Sequence, residues 1–268
     1  MRCILTSAVL GVLLSAMPVP SPAQWVNYPT PGIPRTKDGK PNLAARSPKT
    51  RDGKSDLSGI WKIVYPKKAF ARLKNEEVGP NLLDFMPDGA EIPLQPAAAA
   101  LFQQRSEKWG AGRPSEHCLP HGIPDAMSVG QFKLVQTPGL TLILYEEFNH
   151  YRQIFTDGRP FPKDLNPAWF GSSIGKWDGG TLVVESRGFN DRSWLDDYGR
   201  PHTEALHTTE RFQRPDFGRL DVRITIDESK AYTRPWSVDL HFKLLPDTDL
   251  IEDVCDNEKD VQHAGGKQ

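Results

Sequence analysis

Apolar and polar residues alternate with a period of two through most of the second half of the chain. Leu220, Val222, Ile224 and Ile226 fall on one side of a run whose other side is Arg219, Asp221, Arg223 and Thr225. Trp236, Val238, Leu240, Phe242 and Leu244 share a side opposite Asp239, His241 and Lys243. That period marks β-strands with one face buried and one wet. Comparable runs begin at Leu57, Phe132, Leu140, His150, Ser172, Thr181 and Ala205, and a last one covers Asp249–Cys255. Turn signals at Pro138-Gly139, Asp157-Gly158 and Asp178-Gly179-Gly180 separate several of them. Roughly nine short strands in a row, with no alternation of strand and helix, predict an antiparallel barrel or sandwich. One segment, Gln95–Gly110, has the chemistry of a helix: Pro96 at its start, good helix formers after it, Gly110 to stop it.

The alternation is impure in three places. Tyr145 shares a side with Ile143, Arg152 shares one with Ile154, and Glu210 shares one with Leu206 and Phe212. A closed barrel around a ligand cavity would carry such a mixture inside. A carboxylate on an apolar face needs a partner, and Arg152 or His202 would serve Glu210. The alternative is a strand end from which Glu210 reaches water.

The first half reads differently. Met1-Arg2, the apolar run "CILTSAVLGVLLSAM" and the small residues Ser21 and Ala23 predict an export signal, residues 1–23, cut before Gln24. The apolar run is shorter than the roughly 18 residues a membrane span needs, and nothing after Gln24 is long enough either. The expected location is periplasmic or secreted. Residues 24–57 are rich in Pro, Lys, Asp, Ser and Gly and predict an extended arm. Residues 58–258 are expected to form a single barrel domain and residues 259–268 a disordered tail; no internal repeat is evident.

Charge narrows the classes of partner. The net formal charge is −1, with no basic excess and no long charge block, which argues against nucleic acid. Nothing in the sequence decides between a monomer and a homodimer. Past the signal only Cys118 and Cys255 remain, and two cysteines in an exported chain predict one disulfide. A metal or thiolate site at "HCLPH" (His117, Cys118, His121) is the competing reading, but no second ligand pair is spaced to complete it, so no metal is expected.

The sequence has no HExxH, P-loop, GxGxxG or EF-hand loop. What remains is Tyr, Arg, His, Glu and Trp near polar turns. Tyr and His move protons, Arg holds an anion, and Trp stacks on a ring. The set suits acid–base chemistry on a small aromatic molecule without a cofactor. It also suits a plain binding barrel.

Long strings extend the picture: "QTPG", "ILYE", "RQIFTDGRP", "GKWDGGTLVVESRGFNDRSWLD", "GRPHTEALHTTERF", "DVRITIDESKAYTRPW" and "LLPDTDLIEDVC", spread over residues 136–255. They resemble a large family of exported bacterial proteins. The resemblance implies a lipocalin-like (calycin-type) barrel. It also implies kinship with lyases that release carbon dioxide or formaldehyde from lignin-derived phenylcoumaran dimers without a cofactor. By that resemblance Tyr145, Arg152, His202 and Glu210 are the catalytic candidates. Arg159, Glu204, Trp169 and His121 are the candidates for holding a small aromatic substrate. A periplasmic carrier of a small hydrophobic ligand, or an isomerase or hydrolase using the same pocket, are the competing functions.

Overall fold

The computed structural model describes residues 28–69, 81–108 and 110–255. The export signal and the tail 259–268 lie outside the described residues. Nine strands follow one another around a closed barrel, each paired with its neighbours in sequence. They are β1 (Gly59–Ile63), β2 (Gln131–Thr137), β3 (Leu140–Tyr145), β4 (Tyr151–Phe155), β5 (Ser172–Asp178), β6 (Thr181–Arg187), β7 (His207–Gln213), β8 (Arg219–Asp227) and β9 (Trp236–Leu244). The expectation of a mainly antiparallel β-barrel with an N-terminal arm holds, with one refinement. A ring whose strands alternate strictly up and down needs an even number of them. Nine strands therefore force one parallel pair, and it falls at β4–β5. Residues 156–171, read in sequence as a loop after the Asp157-Gly158 turn, run the length of the barrel to make that pairing.

Asp249–Cys255 is no strand. It is a strap: Lys133 Nζ holds Asp249 at 2.7 Å, Ile251 N–H donates to Glu146 Oε2 at 2.9 Å, and Asn149 Nδ2 donates to the Asp253 carbonyl at 2.9 Å. Cys255 then bonds to Cys118, as the cysteine count predicted. The predicted helix runs Pro96–Ser106, ending short of Gly110, and a further short turn of helix, Asp125–Ser128, is among those that form where the sequence suggested only connections.

The arm is built more regularly than expected. Thr36, Asp38, Gly39 and Lys40 form a turn that Thr50, Asp52, Gly53 and Lys54 repeat. In each, the threonine N–H donates to the lysine carbonyl, its hydroxyl to the aspartate, and the glycine has φ of 80°. This is a short internal repeat that pattern reading passed over. The arm is tied to the barrel by Arg35 and Thr30 on Asp247, and by Phe217 N–H to the Ala45 carbonyl and Gly218 N–H to the Leu43 carbonyl. A Cβ on Gly218 would fall 2.5 Å from Leu43 Cβ, so only glycine admits the arm there.

The alternation places Trp61, Leu134, Ile143, Ile154, Val184, Phe212, Val222, Leu240 and Phe242 inside, none more than 2 % exposed. Side chains so fully covered leave no water-sized hollow beside them. The interior is a packed core, and the expected ligand cavity within it is not where the polar residues lead.

Candidate functional site

Five strands contribute polar groups to the core. Arg152 from β4 and Glu210 from β7 meet in a two-pronged pair, Nη1 to Oε2 at 2.8 Å and Nη2 to Oε1 at 2.6 Å. Both side chains are at most 1 % exposed. Arg152 also donates to Ser173 Oγ from β5 at 3.0 Å and to Ser186 Oγ from β6 at 2.7 Å. The two serines are register partners, and Thr208 of β7 faces Ser186 in turn. Of the two partners the sequence offered Glu210, the fold selects Arg152. A buried pair this well satisfied is neutral overall and has no charge to offer a ligand. Tyr145, from β3, lies on the edge of this group. Its Oη is buried beside the two charges without a hydrogen bond of good geometry, and burial raises its pKa to about 12.

The remaining expected residues scatter. His202 is buried away from Tyr145; its Nε2 meets Ser193 Oγ at 2.7 Å and its Nδ1 faces the Thr203 carbonyl at 3.1 Å. Burial lowers its pKa. Arg159 is exposed and closes on Asp157 two residues away, so both belong to a surface turn. Glu204 is exposed, and Trp169 is half-buried under the Arg192 guanidinium at 5.0 Å. None of the three joins the core group.

His121 does lead somewhere. It lies at the barrel end where β3 finishes and β4 begins. The β1–β2 connection, which carries the Asp125–Ser128 turn, meets the β3–β4 turn and the β6–β7 connection there. His121 Nδ1 is 2.5 Å from Asp125 Oδ2, its Nε2 is 3.1 Å from Glu147 Oε2, and Asp197 Oδ1 is 3.7 Å from Nδ1. Asp125 comes one helical turn after His121, so one local fold sets the pair. Gly122 lies flat on the β6–β7 connection, where a Cβ would fall 2.5 Å from Ser193 Oγ. Glu147 is carried by a turn in which Phe148 and Asn149 both adopt a φ of 55°, backbone that costs a non-glycine residue of order 1–3 kcal/mol.

Three carboxylates thus surround one imidazole. Burial opposes charge on His121, but Asp125 and Glu147 outweigh it and hold its pKa well above the usual histidine range. Burial raises the pKa of Asp125, with His121 pulling against it. Burial, with the Asp125 charge behind it, pushes Asp197 up to about 7; Arg113, 3.7 Å away, only moderates this. The ligand atoms of His121, Asp125 and Asp197 lie within 4.8 Å of one another. Nδ1 and Oδ2 nonetheless face each other at hydrogen-bond distance, so the pair carries a proton.

A line of rings leads away from the cluster. His121 stacks on Phe148 with centroids 6.4 Å apart, Phe148 meets His150 at 6.1 Å, His150 meets Phe170 at 6.3 Å, and Phe170 stacks on Tyr145 at 5.2 Å. His150 is half-buried, and burial lowers its pKa, with the His121 charge adding to that and Glu147 opposing it. Asp125, Glu147, His150 and Asp197 were not among the residues singled out from sequence. The only local signal was the spacing of His121 and Asp125. No known protein family, no characterised protein and no solved structure matches this chain.

Proposed function

We propose that the protein is a cofactor-independent lyase acting on a small phenolic or related aromatic compound, with its chemistry at the mouth of the barrel. The observation that carries this reading is the pair of histidines whose surroundings push their proton affinities apart. His121 holds its proton at neutral pH, whereas His150 is neutral. Such a divergence within one site supports an acid–base pair. His150 takes the proton of a substrate hydroxyl. The electron pair of that O–H bond forms a carbonyl as the neighbouring carbon–carbon bond breaks, and the fragment leaves as formaldehyde. The electron pair left on the conjugated skeleton is protonated from the His121–Asp197 side. Phe148 and Phe170 offer faces for an aromatic ring. The disulfide supports the exported location that the leader pattern implies.

The test is incubation of the mature protein with phenolic acids and phenylcoumaran dimers, with chelator and without added cofactor, read by mass spectrometry. Loss of formaldehyde or carbon dioxide that disappears in both His150→Gln and His121→Gln is the expected result. Unchanged masses across the panel would remove the lyase class. Turnover that survives both substitutions would remove the site, and turnover restored only by a divalent metal would make the cluster a cation centre.

A further inference from the structure

Among the described residues three arginines are buried, and their partners differ. Arg152 has Glu210 and Arg200 has Asp196. Arg214 is 5 % exposed and, among the described residues, has no carboxylate within ion-pair reach. Its Nε and Nη2 donate to the Phe217 carbonyl, at 3.1 and 2.5 Å, and its Nη1 to the carbonyls of Asp56 and Ser58, at 2.7 and 3.1 Å. The guanidinium lies over the Trp61 ring at 4.9 Å and the Phe217 ring at 4.7 Å. Carbonyl dipoles satisfy most of its N–H groups, but they supply no counter-charge, and one Nη2 hydrogen is left over. A buried cation without a partner is costly. Burial lowers its pKa to about 10, with Asp56 and Asp216 acting against that from beyond contact.

Arg214 is also part of the wall of a cleft of about 660 Å³ at the end of the barrel opposite the mouth. The cleft lies between the arm, at Tyr28–Ile33, and the outer wall made by Ile60, Val135 and Leu245. Its volume is within the roughly 300–1,000 Å³ of small-molecule sites. Its other cation, Lys133, is already matched by Asp249 at 2.7 Å. The rest of the wall is largely apolar apart from Asp56, whose carboxylate accepts the Ser58 N–H at 2.9 Å, and Arg214 is the cation there with no carboxylate in contact.

The geometry points to this cleft as a binding site for a small monocarboxylate with an apolar body, its carboxylate drawn to Arg214 and its body laid between the arm and β1–β2. The site is independent of the mouth, and its ligand need not be the substrate there. A medium-chain fatty acid and an aryl-alkanoic acid share this chemistry, and the experiment separates them.

Titration calorimetry of the mature protein with decanoate and with 4-phenylbutanoate tests the inference, with decanol and 4-phenylbutanol as uncharged controls. One or both acids are expected to bind at least about tenfold more tightly than the matching alcohol, since an ion pair inside an apolar wall is worth that or more. Val135→Trp, an outward-facing position on a strand, fills the cleft and is expected to abolish binding with the melting temperature kept. Arg214→Lys, which keeps the charge, should weaken the acids and leave the alcohols unchanged. No binding by either acid, equal binding of acid and alcohol, or binding unaffected by Val135→Trp would each overturn the site. His150→Gln leaves this binding intact if the two sites are separate, so failure at the mouth and failure at the cleft are distinguishable.

Discussion

The barrel interior and the barrel mouth both bury charge, and they treat it in opposite ways. Inside, one arginine meets one glutamate, and two serines and a threonine gather around the pair. At the mouth, one imidazole faces three carboxylates, with only the half-shared Arg113 beyond it. The first arrangement is complete and keeps the core in register. The second holds more negative charge than its cations balance, so it must keep protons or draw in a positive partner. Polar residues in a barrel thus point to function only where their charges fail to cancel.

The contrast can be broken most forcefully from within. Arg152→Met leaves Glu210 buried and alone, and is expected to cost about 3–5 kcal/mol in denaturant unfolding, whereas the double change with Glu210→Leu recovers most of that. A mouth substitution should do the reverse, sparing the fold and hitting the chemistry. His150→Gln is expected to lower kcat about 100-fold with an unchanged denaturation midpoint. A loss of stability as large as that of Arg152→Met would make the mouth structural too.

The surplus of carboxylate also predicts a pH dependence. Folded Asp197 keeps its proton to about pH 7, whereas the unfolded chain releases it near 4, so stability falls as pH rises between those values. His121 extends the fall above about pH 6.5, because the folded state binds its proton more tightly than the unfolded one. His150, with its pKa lowered, acts in the opposite sense below that point. Asp125, Asp196, Glu147 and Arg113 set the field these groups feel. Asp197→Asn should flatten the profile and raise the melting temperature at pH 8 by roughly 2–4 °C, which is about 1 kcal/mol for a chain of this size. The smallest effect belongs to the surface turn: Arg159→Ala should change neither melting temperature nor turnover, because its pair with Asp157 is exposed.

The strands were legible because a two-residue period repeats over seven to nine residues, as in β8 and β9. The Arg152–Glu210 pair was half legible: a charged residue on an apolar side demands a partner, though the period does not name which. The parallel β4–β5 pair was not legible: Asp249–Cys255 read as one strand more, and only its absence from the sheet leaves a ring of nine that cannot alternate throughout. The mouth was hidden for a different reason. His121, Glu147, His150 and Asp197 sit in three connections between strands, where no period exists, and only the closing of the barrel brings those connections together. His202 and Glu204 illustrate the converse. They stand two residues apart in one conspicuous string, yet one is buried against Ser193 and the other faces water.

The strap and its Cys118–Cys255 bond divide the molecule into a part that closes on itself and a part held from outside. The last strand ends at Leu244, so all nine strands of the barrel precede the strap in the chain. Asp249–Cys255 lies beyond them, and it is this piece that clasps Glu146 and Asn149, on either side of Glu147, and reaches back to Cys118, three residues from His121. A chain stopped after Leu245 should therefore yield a closed barrel with an unfinished mouth, because the strands hold one another whereas the β3–β4 turn is clasped from outside the sheet.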